Sequence, residues 1–512
     1  MFLPTCIGFL VSLLIVHCYS LSVLQKPLQP QRQDCPLGES LSISIPVDHF
    51  NSVDTRTYSN RFWVNATFYR GGGPVFFYDA GERGVSACSM FLPAHPIMYL
   101  AKKFNGLAIL WEHRFYGDSV PLQLDVNATL ADQQGAYRYL DSEQALEDAV
   151  FLATHFKPPG LRDFWDILEP GEVPWIWVGA SYPGQRAAMI RARNPGVFWA
   201  SWSSSAPVQV VMEFPEYYLH ISQQLPSKCR GVLQAVAHYV DRIMQEGSLL
   251  QQWKLKWAIA RRWPSDRTLS DRVSFAIFDT GFGVASHLMQ IVAWDWQWYG
   301  MKGQMNVTCA KIQQADPEDG IDVQTSLTAV LDAIESNDKD SSGYGKEPFP
   351  MDRQSWQYQV CTEFPYFRTS APESALNILS LFLTAEGIWD DCARRFPWLH
   401  SPPDVATPLA YAGWNRSVGN VMWTTGMQDP WHGLSMAPTG SLVAGAPVHR
   451  HVTQQVPACA RSLDDGEVFG LVLEHGRHCS DLQAGTDDAR RAQELFQQAL
   501  EVWLPCHRAG IA

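Results

Sequence analysis

Ser181 lies in the sequence GASYPG (179–184), between a short apolar segment and a segment of helical character. A serine held between glycines at a sharp strand-to-helix turn is the pattern of a nucleophile elbow, from which the hydroxyl projects above a sheet. Pro183 stands where the second glycine is expected, and Gly184 follows it. Because an ordinary strand-to-helix turn has a similar sequence, the motif alone predicts only a candidate nucleophile for acyl transfer.

A serine nucleophile needs a base, and the base needs a carboxylate that orients it. Asp429 comes soon after a predicted strand at 420–426, and His478 comes soon after a predicted strand at 468–476. The chain order Ser, Asp, His on loops after late strands is that of α/β-hydrolases. The joint placement is more specific than any single motif, and it predicts a Ser181–Asp429–His478 triad that works through an acyl-enzyme.

Each downstream residue has a simpler interpretation. Asp429 before Pro430 could merely initiate a turn. His475 could be the base instead, and His475, His478 and Cys479 together could suggest a metal site. His475 falls at the strand end and further zinc ligands are not evident, so we favour His478 and predict neither a metal nor a cofactor.

The oxyanion of an acyl-transfer intermediate needs two N–H donors. One should be the backbone N–H of Tyr182, next after the nucleophile, and the other should come from the loop after the strand that ends near residue 79. That loop reads DAGERG (79–84), so Gly81 or Glu82 is the expected donor. Glu82 would also bring a carboxylate close to the cleft, with an exposed loop charge as the alternative.

The elements that must position these residues alternate between strand and helix. Continuous apolar runs rich in β-branched and aromatic residues predict buried strands, and apolar residues at helical spacing predict the helices between them. The predicted strands are 74–81, 107–114, 174–180 and 198–208, and the predicted helices are 142–156 and 185–193. This alternation predicts a parallel sheet with helices on both faces.

Residues 210–405 differ, because helical segments dominate there. Helices are predicted at 229–245 and 374–396, a surface loop at 335–350, and a final amphipathic helix at 487–504. The simplest architecture is an α/β-hydrolase domain in two parts with a helical cap inserted over the carboxyl ends of the strands. The predicted boundaries are 21–209 and 406–512 for the two parts and 210–405 for the cap.

Composition and sorting signals indicate an exported globular protein. The 512 residues are 46% hydrophobic and carry a net charge of −13, which argues against nucleic acid or an anionic membrane as a partner. The apolar run within residues 1–20 predicts a signal peptide removed before Leu21. The protein is therefore expected to be secreted, or to reach a lysosome or vacuole through the secretory pathway.

Sequons and cysteines support the same compartment. N-glycosylation is predicted at Asn65, Asn127, Asn306 and Asn415. Outside the predicted signal peptide the cysteines are widely scattered, which fits a few disulfides with one thiol left over. Their connectivity is not determined by the spacing. These cysteines are residues 35, 88, 229, 309, 361, 392, 459, 479 and 506.

Seven blocks, in the same order along the chain, resemble the serine carboxypeptidase S28 family. They are EHRFYGDS (112–119), YLDSEQALED (139–148), GASYPG (179–184), SSAPV (204–208), YQVCTEF (358–364), GMQDPWHG (426–433) and GRHCSDL (476–482). By position, the resemblance implies Ser181 as nucleophile, Asp429 as acid and His478 as base. It also implies an α/β-hydrolase fold with an inserted helical cap. Ala180 and Arg83 depart from the usual motifs of the family.

The resemblance implies hydrolysis of peptide bonds after proline by a secreted serine peptidase of carboxypeptidase or dipeptidyl-peptidase type, with endopeptidase activity as a further option. Peptides are then the expected partners, and a homodimer is a further expectation. Trp431 could wall a proline pocket or simply pack beneath its loop. Glu82 and Glu363 are candidate acidic substrate contacts, and Arg83 is a basic one.

Two other functions share the same scaffold. A lipase or esterase would use the same elbow and triad, and a broad apolar groove would favour it. A non-catalytic binding protein on a hydrolase fold would require the loss of a triad residue, and all three residues are present.

Overall fold

A sheet of nine strands carries the segments around Ser181. In chain order the strands are β1 (Leu41–Pro46), β2 (Thr57–Asn65), β3 (Val75–Asp79), β4 (Leu107–Trp111), β5 (Trp175–Ala180), β6 (Phe198–Ser204), β7 (Val421–Gly426), β8 (His451–Thr453) and β9 (Glu467–Leu473). Their order across the sheet is β1-β2-β4-β3-β5-β6-β7-β9-β8. Strands β1 and β2 pair antiparallel with their neighbours, and all other pairs are parallel.

The computed structural model describes residues 40–85, 95–122, 129–262, 268–288, 304–315, 322–340, 350–463 and 466–510. The predicted signal peptide, Cys35, Cys88 and Asn127 lie outside these ranges.

The described helices flank the sheet or lie between β6 and β7. Those of the first part are α1 (Pro96–Phe104), α2 (Leu130–Tyr137), α3 (Ser142–Thr154) and α4 (Tyr182–Arg193). Those between β6 and β7 are α5 (Glu216–Gln224), α6 (Ser227–Glu246), α7 (Leu249–Ala260), α8 (Leu269–Phe278), α9 (Gln304–Ala315), α10 (Val323–Asp340), α11 (Pro350–Thr362), α12 (Ala385–Arg395) and α13 (Ala406–Tyr411). Residues 281–288 are also helical, and α14 (Asp487–Arg508) comes last.

The predicted α/β class is confirmed, and a helical insertion follows β6. Strands β3 and β4 are buried along their whole length, as continuous apolar runs require in a sheet covered on both faces. One core packs sheet residues such as Phe77 and Trp177 against Leu146 of α3. A second core lies among the inserted helices and includes Tyr182 and Leu434 from the hydrolase part. The predicted domain boundaries stay a prediction.

Two predictions in the insertion were wrong. Residues 374–384 are not helical, and the helix begins only at Ala385, where the Thr384 side chain accepts a hydrogen bond from Gly387 N–H. Upstream, the Asn377 side chain binds the backbone of Ala371 and Leu379, an alternative that competes with helical bonding. Residues 335–340 of the predicted surface loop belong to α10.

The close approach of α4 to the sheet depends on Gly184. A Cβ at this position would lie 2.6 Å from the carbonyl oxygen of Ser204 and 3.0 Å from that of Gly179. Both neighbours are backbone atoms of adjacent strands, so neither can move cheaply. The sheet and α4 therefore pack at a distance that only glycine permits.

We expect Gly184→Ala to destabilise the fold by about 1–3 kcal/mol through overpacking, although alanine favours helices by about 1 kcal/mol over glycine. Gly196→Ala is the matched control, because a Cβ there meets nothing within 4 Å. Urea unfolding of both variants measures the difference. Equal stabilities would contradict the packing argument.

Candidate active site

Ser181 joins β5 to α4 with a backbone conformation that side-chain-bearing residues rarely adopt. Its φ is 63° and its ψ is −126°, and α4 begins at the next residue. Such a conformation costs about 1–3 kcal/mol and persists only when its surroundings fix it. Pro183 occupies the first turn of α4, where a missing N–H does no harm. The proline at the expected glycine position is therefore compatible with the elbow.

Asp429 and His478 form a buried hydrogen-bonded pair. His478 Nδ1 lies 2.8 Å from Asp429 Oδ2, and both side chains are fully buried. The other oxygen, Asp429 Oδ1, accepts from Trp431 N–H at 2.9 Å. With Nδ1 donating to the carboxylate, neutral His478 has Nε2 as its proton acceptor, which is the tautomer of a general base.

Two opposing effects set the pKa of His478. Burial by itself would lower the pKa of His478, but the charges and hydrogen bonds of Asp429 and Cys479 outweigh it and hold the pKa well above its ordinary value. His475, by contrast, is exposed on the preceding turn. The structure therefore places His478, and not His475, against the acid.

Backbone contacts hold the acid loop against the base loop. Met427 N–H donates to Leu473 O at 2.9 Å, and Gln428 N–H donates to Gly476 O at 2.9 Å. A Cβ on Gly426 would lie 2.2 Å from Gly476 O, so glycine is required where the loops cross. The two loops are thus held together by bonds that do not involve the Asp429–His478 pair itself.

The end of β6 connects the nucleophile to the base. Ser204 O accepts from Ser181 N–H at 2.9 Å, and the neighbouring Ser205 Oγ accepts from Cys479 N–H at 2.9 Å. Cys479 follows His478 directly. The buried carboxylate of Asp481 also accepts from Ser204 Oγ at 2.7 Å. Adjacent residues of one strand end therefore fix the backbones next to both candidate catalytic side chains.

The loop after β3, residues 80–85 (the β3 loop), packs against the elbow. A Cβ on Gly81 would lie 2.2 Å from Pro183 Cγ, and Gly81 has a positive φ of 70°. Gly81 N–H donates to Asp79 Oδ1 at 3.1 Å, so its donor is already used. We keep Glu82 N–H, which among the described residues interacts only with the carboxyl group of its own residue, as the candidate second donor alongside Tyr182 N–H in the first turn of α4.

The pKa of the half-buried Glu82 carboxyl group shows which charges lie near this part of the β3 loop. Burial raises its pKa, while its own backbone N–H, Arg83 and His478 act in the opposite direction. Arg83 and His478 therefore favour a negative charge at this position, whereas burial and the nearby Asp79 oppose it, and the pKa of Glu82 is raised overall.

A buried ion pair that the sequence patterns did not predict links the end of β3 to α4. Arg186 Nη1 donates to Asp79 Oδ2 at 2.7 Å, and Arg186 Nη2 donates to Ala145 O of α3 at 2.7 Å. Both charged side chains are buried. The only sequence signal was Arg186, a charged residue within a helix that packs against the sheet.

A second missed network holds the Tyr182 side chain. Buried His113 directs Nδ1 at Arg114 O, 2.6 Å away, and Nε2 at Tyr182 Oη, 3.1 Å away. Burial lowers the pKa of His113 well below its ordinary value, so Nδ1 carries the proton and Nε2 accepts from the tyrosine hydroxyl. Gln359 Nε2 then donates to Tyr182 Oη at 2.8 Å.

Trp431 lies in an aromatic cluster beside the acid loop. Its ring packs against Phe214, Tyr217 and Tyr366 with centroid distances of 5.6, 5.2 and 5.3 Å. Phe214 and Tyr217 come from the insertion, and all three neighbours are buried. Trp431 itself is partly buried. The cluster joins the insertion to the residue that donates to Asp429.

Glu363 is placed differently from its prediction as a substrate contact. Its carboxyl group is buried and accepts from Ser142 N–H at 2.9 Å and Ser142 Oγ at 3.0 Å, at the start of α3. Burial, followed by the nearby Asp141, raises the pKa of Glu363 to about 8. We assign it a capping contact in place of a substrate contact.

The predicted modification sites are unevenly placed. Asn306 and Asn415 are exposed, whereas Asn65 is buried and its side-chain oxygen accepts from Thr67 N–H, which disfavours a glycan there. Disulfides join Cys229 to Cys309, Cys361 to Cys392 and Cys459 to Cys506, and the buried Cys479 is a free thiol.

Within the described residues, no cluster of three or more His, Cys, Asp or Glu side chains could hold a metal ion. No helix in the described part of the chain has the length and apolarity to cross a membrane.

Residues 45–444 match the family described as Serine carboxypeptidase S28. The chain belongs to this family. Ser181 and Asp429 lie within the matched S28 region, and His478 lies after it.

Similar proteins share low sequence identity with this chain, but the similarity covers most of its length. A "Probable extracellular serine carboxypeptidase" of Arthroderma benhamiae is 24% identical over 447 residues, which cover 80% of this chain and 61% of that protein. The chain thus spans less than two thirds of that relative's length. The human "Thymus-specific serine protease" is 26% identical over 506 residues, which cover 90% of this chain and 85% of that protein.

Among solved structures, a proline iminopeptidase of Mycobacterium smegmatis aligns with a TM-score of 0.36 and 12% identity, covering 90% of this chain and 99% of that one.

We expect Asp429→Asn to lower kcat by about 10³–10⁴, because its amide would favour the wrong tautomer of His478. Since Asp429 raises the pKa of His478, the acid limb of the remaining activity should move to lower pH. A pH–rate profile on a peptide substrate measures both effects.

His475→Ala is the control and should leave both rate and profile unchanged, whereas His478→Ala should abolish activity. An acid limb that stays in place in Asp429→Asn would contradict the assignment of the pair.

Proposed function

We propose that the protein is a serine peptidase of the secretory pathway that cleaves peptide bonds after proline. The observation that carries this proposal is the buried Asp429–His478 pair, whose base loop is bonded to the same end of β6 as the strained Ser181, in a chain of the S28 family. Three disulfides and the extracellular assignment of a fungal relative support the compartment.

In the proposed mechanism, His478 removes the proton from Ser181 Oγ as the serine attacks the substrate carbonyl carbon. The carbonyl becomes an oxyanion that accepts from Tyr182 N–H and Glu82 N–H. His478, held by Asp429, then gives the proton to the leaving amine as the C–N bond breaks. Water repeats the sequence on the acyl-enzyme and frees Ser181.

The aromatic cluster around Trp431 supports the preference for proline. A pyrrolidine ring is rigid and apolar, so it loses little conformational entropy when it packs against aromatic faces. The backbone N–H of Trp431 donates a hydrogen bond to Asp429, the proposed catalytic acid. A wall at this position would set the residue before the scissile bond directly beside the triad.

The structure favours neither a free amine nor a free carboxylate as the second recognition element. Glu82 lies close to His478, Arg83 is exposed beside it, and Glu363 is already engaged. Mapping the cleavage sites on a peptide library separates carboxypeptidase, dipeptidyl peptidase and endopeptidase action. Turnover of esters without peptides would favour the lipase or esterase alternative.

We expect Ser181→Ala to abolish hydrolysis of a proline-containing chromogenic peptide while the cooperative unfolding transition is retained. Wild-type protein should also be labelled by a fluorophosphonate, and the variant should not. A Ser181→Ala protein that still cleaves the peptide would show that the nucleophile is elsewhere or absent.

We expect Trp431→Leu to reduce the ratio of kcat/KM for proline over alanine before the scissile bond by about 10–100-fold, the usual range for lost pocket contacts. Trp253→Leu, on the half-exposed surface of α7, is the matched control and should keep the ratio. A ratio that is the same in both variants would place the proline pocket elsewhere.

A further inference from the structure

One face of α11 carries three polar side chains that are nearly fully buried. Asp352, Ser355 and Gln359 are spaced by three and four residues, so they lie on the same side of the helix. Buried polar side chains are costly unless they are hydrogen-bonded. Their partners are therefore informative, and they lie in the hydrolase part of the chain.

All three side chains bind the turn after β4, residues 112–119 (the β4 turn). Asp352 Oδ1 accepts from Gly117 N–H at 2.8 Å, and Ser355 Oγ donates to Phe115 O at 2.9 Å. Gln359 Oε1 accepts from the hydroxyl of Tyr116. The α11 face is thus seated on the β4 turn through three consecutive residues.

Two of the three side chains also bind the segments that carry the proposed oxyanion donors. Asp352 Oδ2 accepts from Gly84 N–H in the β3 loop, two residues after Glu82. Gln359 Nε2 donates to the hydroxyl of Tyr182 at 2.8 Å. The middle residue, Ser355, makes no such contact among the described hydrogen bonds. The same helix face therefore contacts the β3 loop, which carries Glu82, and the side chain of Tyr182.

The directions of the hydrogen bonds around Tyr182 are fixed. Because the tyrosine hydroxyl donates to His113 Nε2, its oxygen accepts from the amide of Gln359. The amide oxygen of Gln359 is in turn occupied by Tyr116. Neither an amide flip nor a ring flip preserves all of these bonds. The chain of bonds accordingly holds Tyr182 in one position relative to α11.

The β3 loop is fixed at its far end as well. Val85 N–H donates to the buried carboxylate of Glu112 at 2.9 Å, and Arg61 binds the same carboxylate through two nitrogens at 2.7 and 2.9 Å. The carboxylates of Asp352 and Glu112 thus accept hydrogen bonds from the successive backbone N–H groups of Gly84 and Val85, shortly after Glu82. Asp352 is the one of the two that comes from the insertion.

We propose that α11 acts as a spacer that sets the separation of the two oxyanion donors, with Asp352 and Gln359 as positioning residues. Asp352 holds the β3 loop that carries Glu82 N–H, and Gln359 holds Tyr182, whose N–H is the second donor. The insertion then contributes to transition-state stabilisation without touching the substrate. This inference rests on the proposed function.

The test compares Asp352→Asn and Gln359→Leu with Ser355→Ala as the matched control on the same helix face. Displacing one donor should lower kcat by about 10–100-fold, less than the 10²–10³ for removing a donor outright. KM should stay within about twofold, because ground-state contacts do not use the oxyanion hole. Ser355→Ala should change kcat by no more than about twofold, even if it lowers the melting temperature.

A peptide boronate separates positioning from general loosening of the fold. Its tetrahedral adduct with Ser181 places an oxygen in the oxyanion hole, so its affinity should fall by the same factor as kcat in Asp352→Asn and Gln359→Leu. The acid limb of the pH–rate profile should stay in place, in contrast to Asp429→Asn. If either variant fails to fold, Tyr182→Phe, which removes the hydroxyl bound by Gln359, provides the same readout.

The inference is overturned if Asp352→Asn and Gln359→Leu lose no more kcat than Ser355→Ala, or if boronate affinity is unchanged while KM rises. Failure of the proposed function is a separate result, because it would appear as peptide cleavage by Ser181→Ala or as a wild-type protein without activity.

Discussion

The backbone of Ser181 is the constraint on which the surrounding structure depends. Its φ of 63° and ψ of −126° are unfavourable for any residue with a side chain, so neighbouring elements must hold them. Ser204 O accepts the serine N–H, and Gly184 lets α4 approach that same carbonyl within contact distance. A stable parallel sheet thus supports a local conformation that would relax in isolation, at the carboxyl end of the central strand β5.

The ion pair between Asp79 and Arg186 extends this constraint to the start of the β3 loop. An unpaired charge in the interior would cost several kcal/mol, so the two side chains must stay together. Arg186 lies on the helix that begins at the elbow, and Asp79 ends the strand before the β3 loop. Since Asp79 also accepts from Gly81 N–H, the ion pair and this bond together hold the start of the β3 loop next to α4.

Sequence reasoning predicted best what depends on local pattern. The buried parallel strands, the elbow and the order of Ser181, Asp429 and His478 all leave periodic or positional signals. The helix predicted over residues 374–384 was wrong because the Asn377 side chain binds the loop backbone. The spacing of apolar residues carries no signal for such a hydrogen bond. The choice between Gly81 and Glu82 depended on the side chain of Asp79, and the contact of Gln359 with Tyr182 joins residues 177 positions apart. Such contacts need the tertiary fold.

The proposed oxyanion donors belong to different elements, which the Asp79–Arg186 pair links directly and α11 contacts in addition. Tyr182 N–H moves with α4, whereas Glu82 N–H moves with a loop, so no single strand or helix fixes the distance between them. A change of about 1 Å in such a distance can cost a large part of the catalytic gain. Helix α11 contacts both elements through buried polar side chains, and the Cys361–Cys392 disulfide ties its end to α12. If the proposed function holds, the precision of the site would therefore depend on the contacts that Asp352 and Gln359 make with the β3 loop and Tyr182.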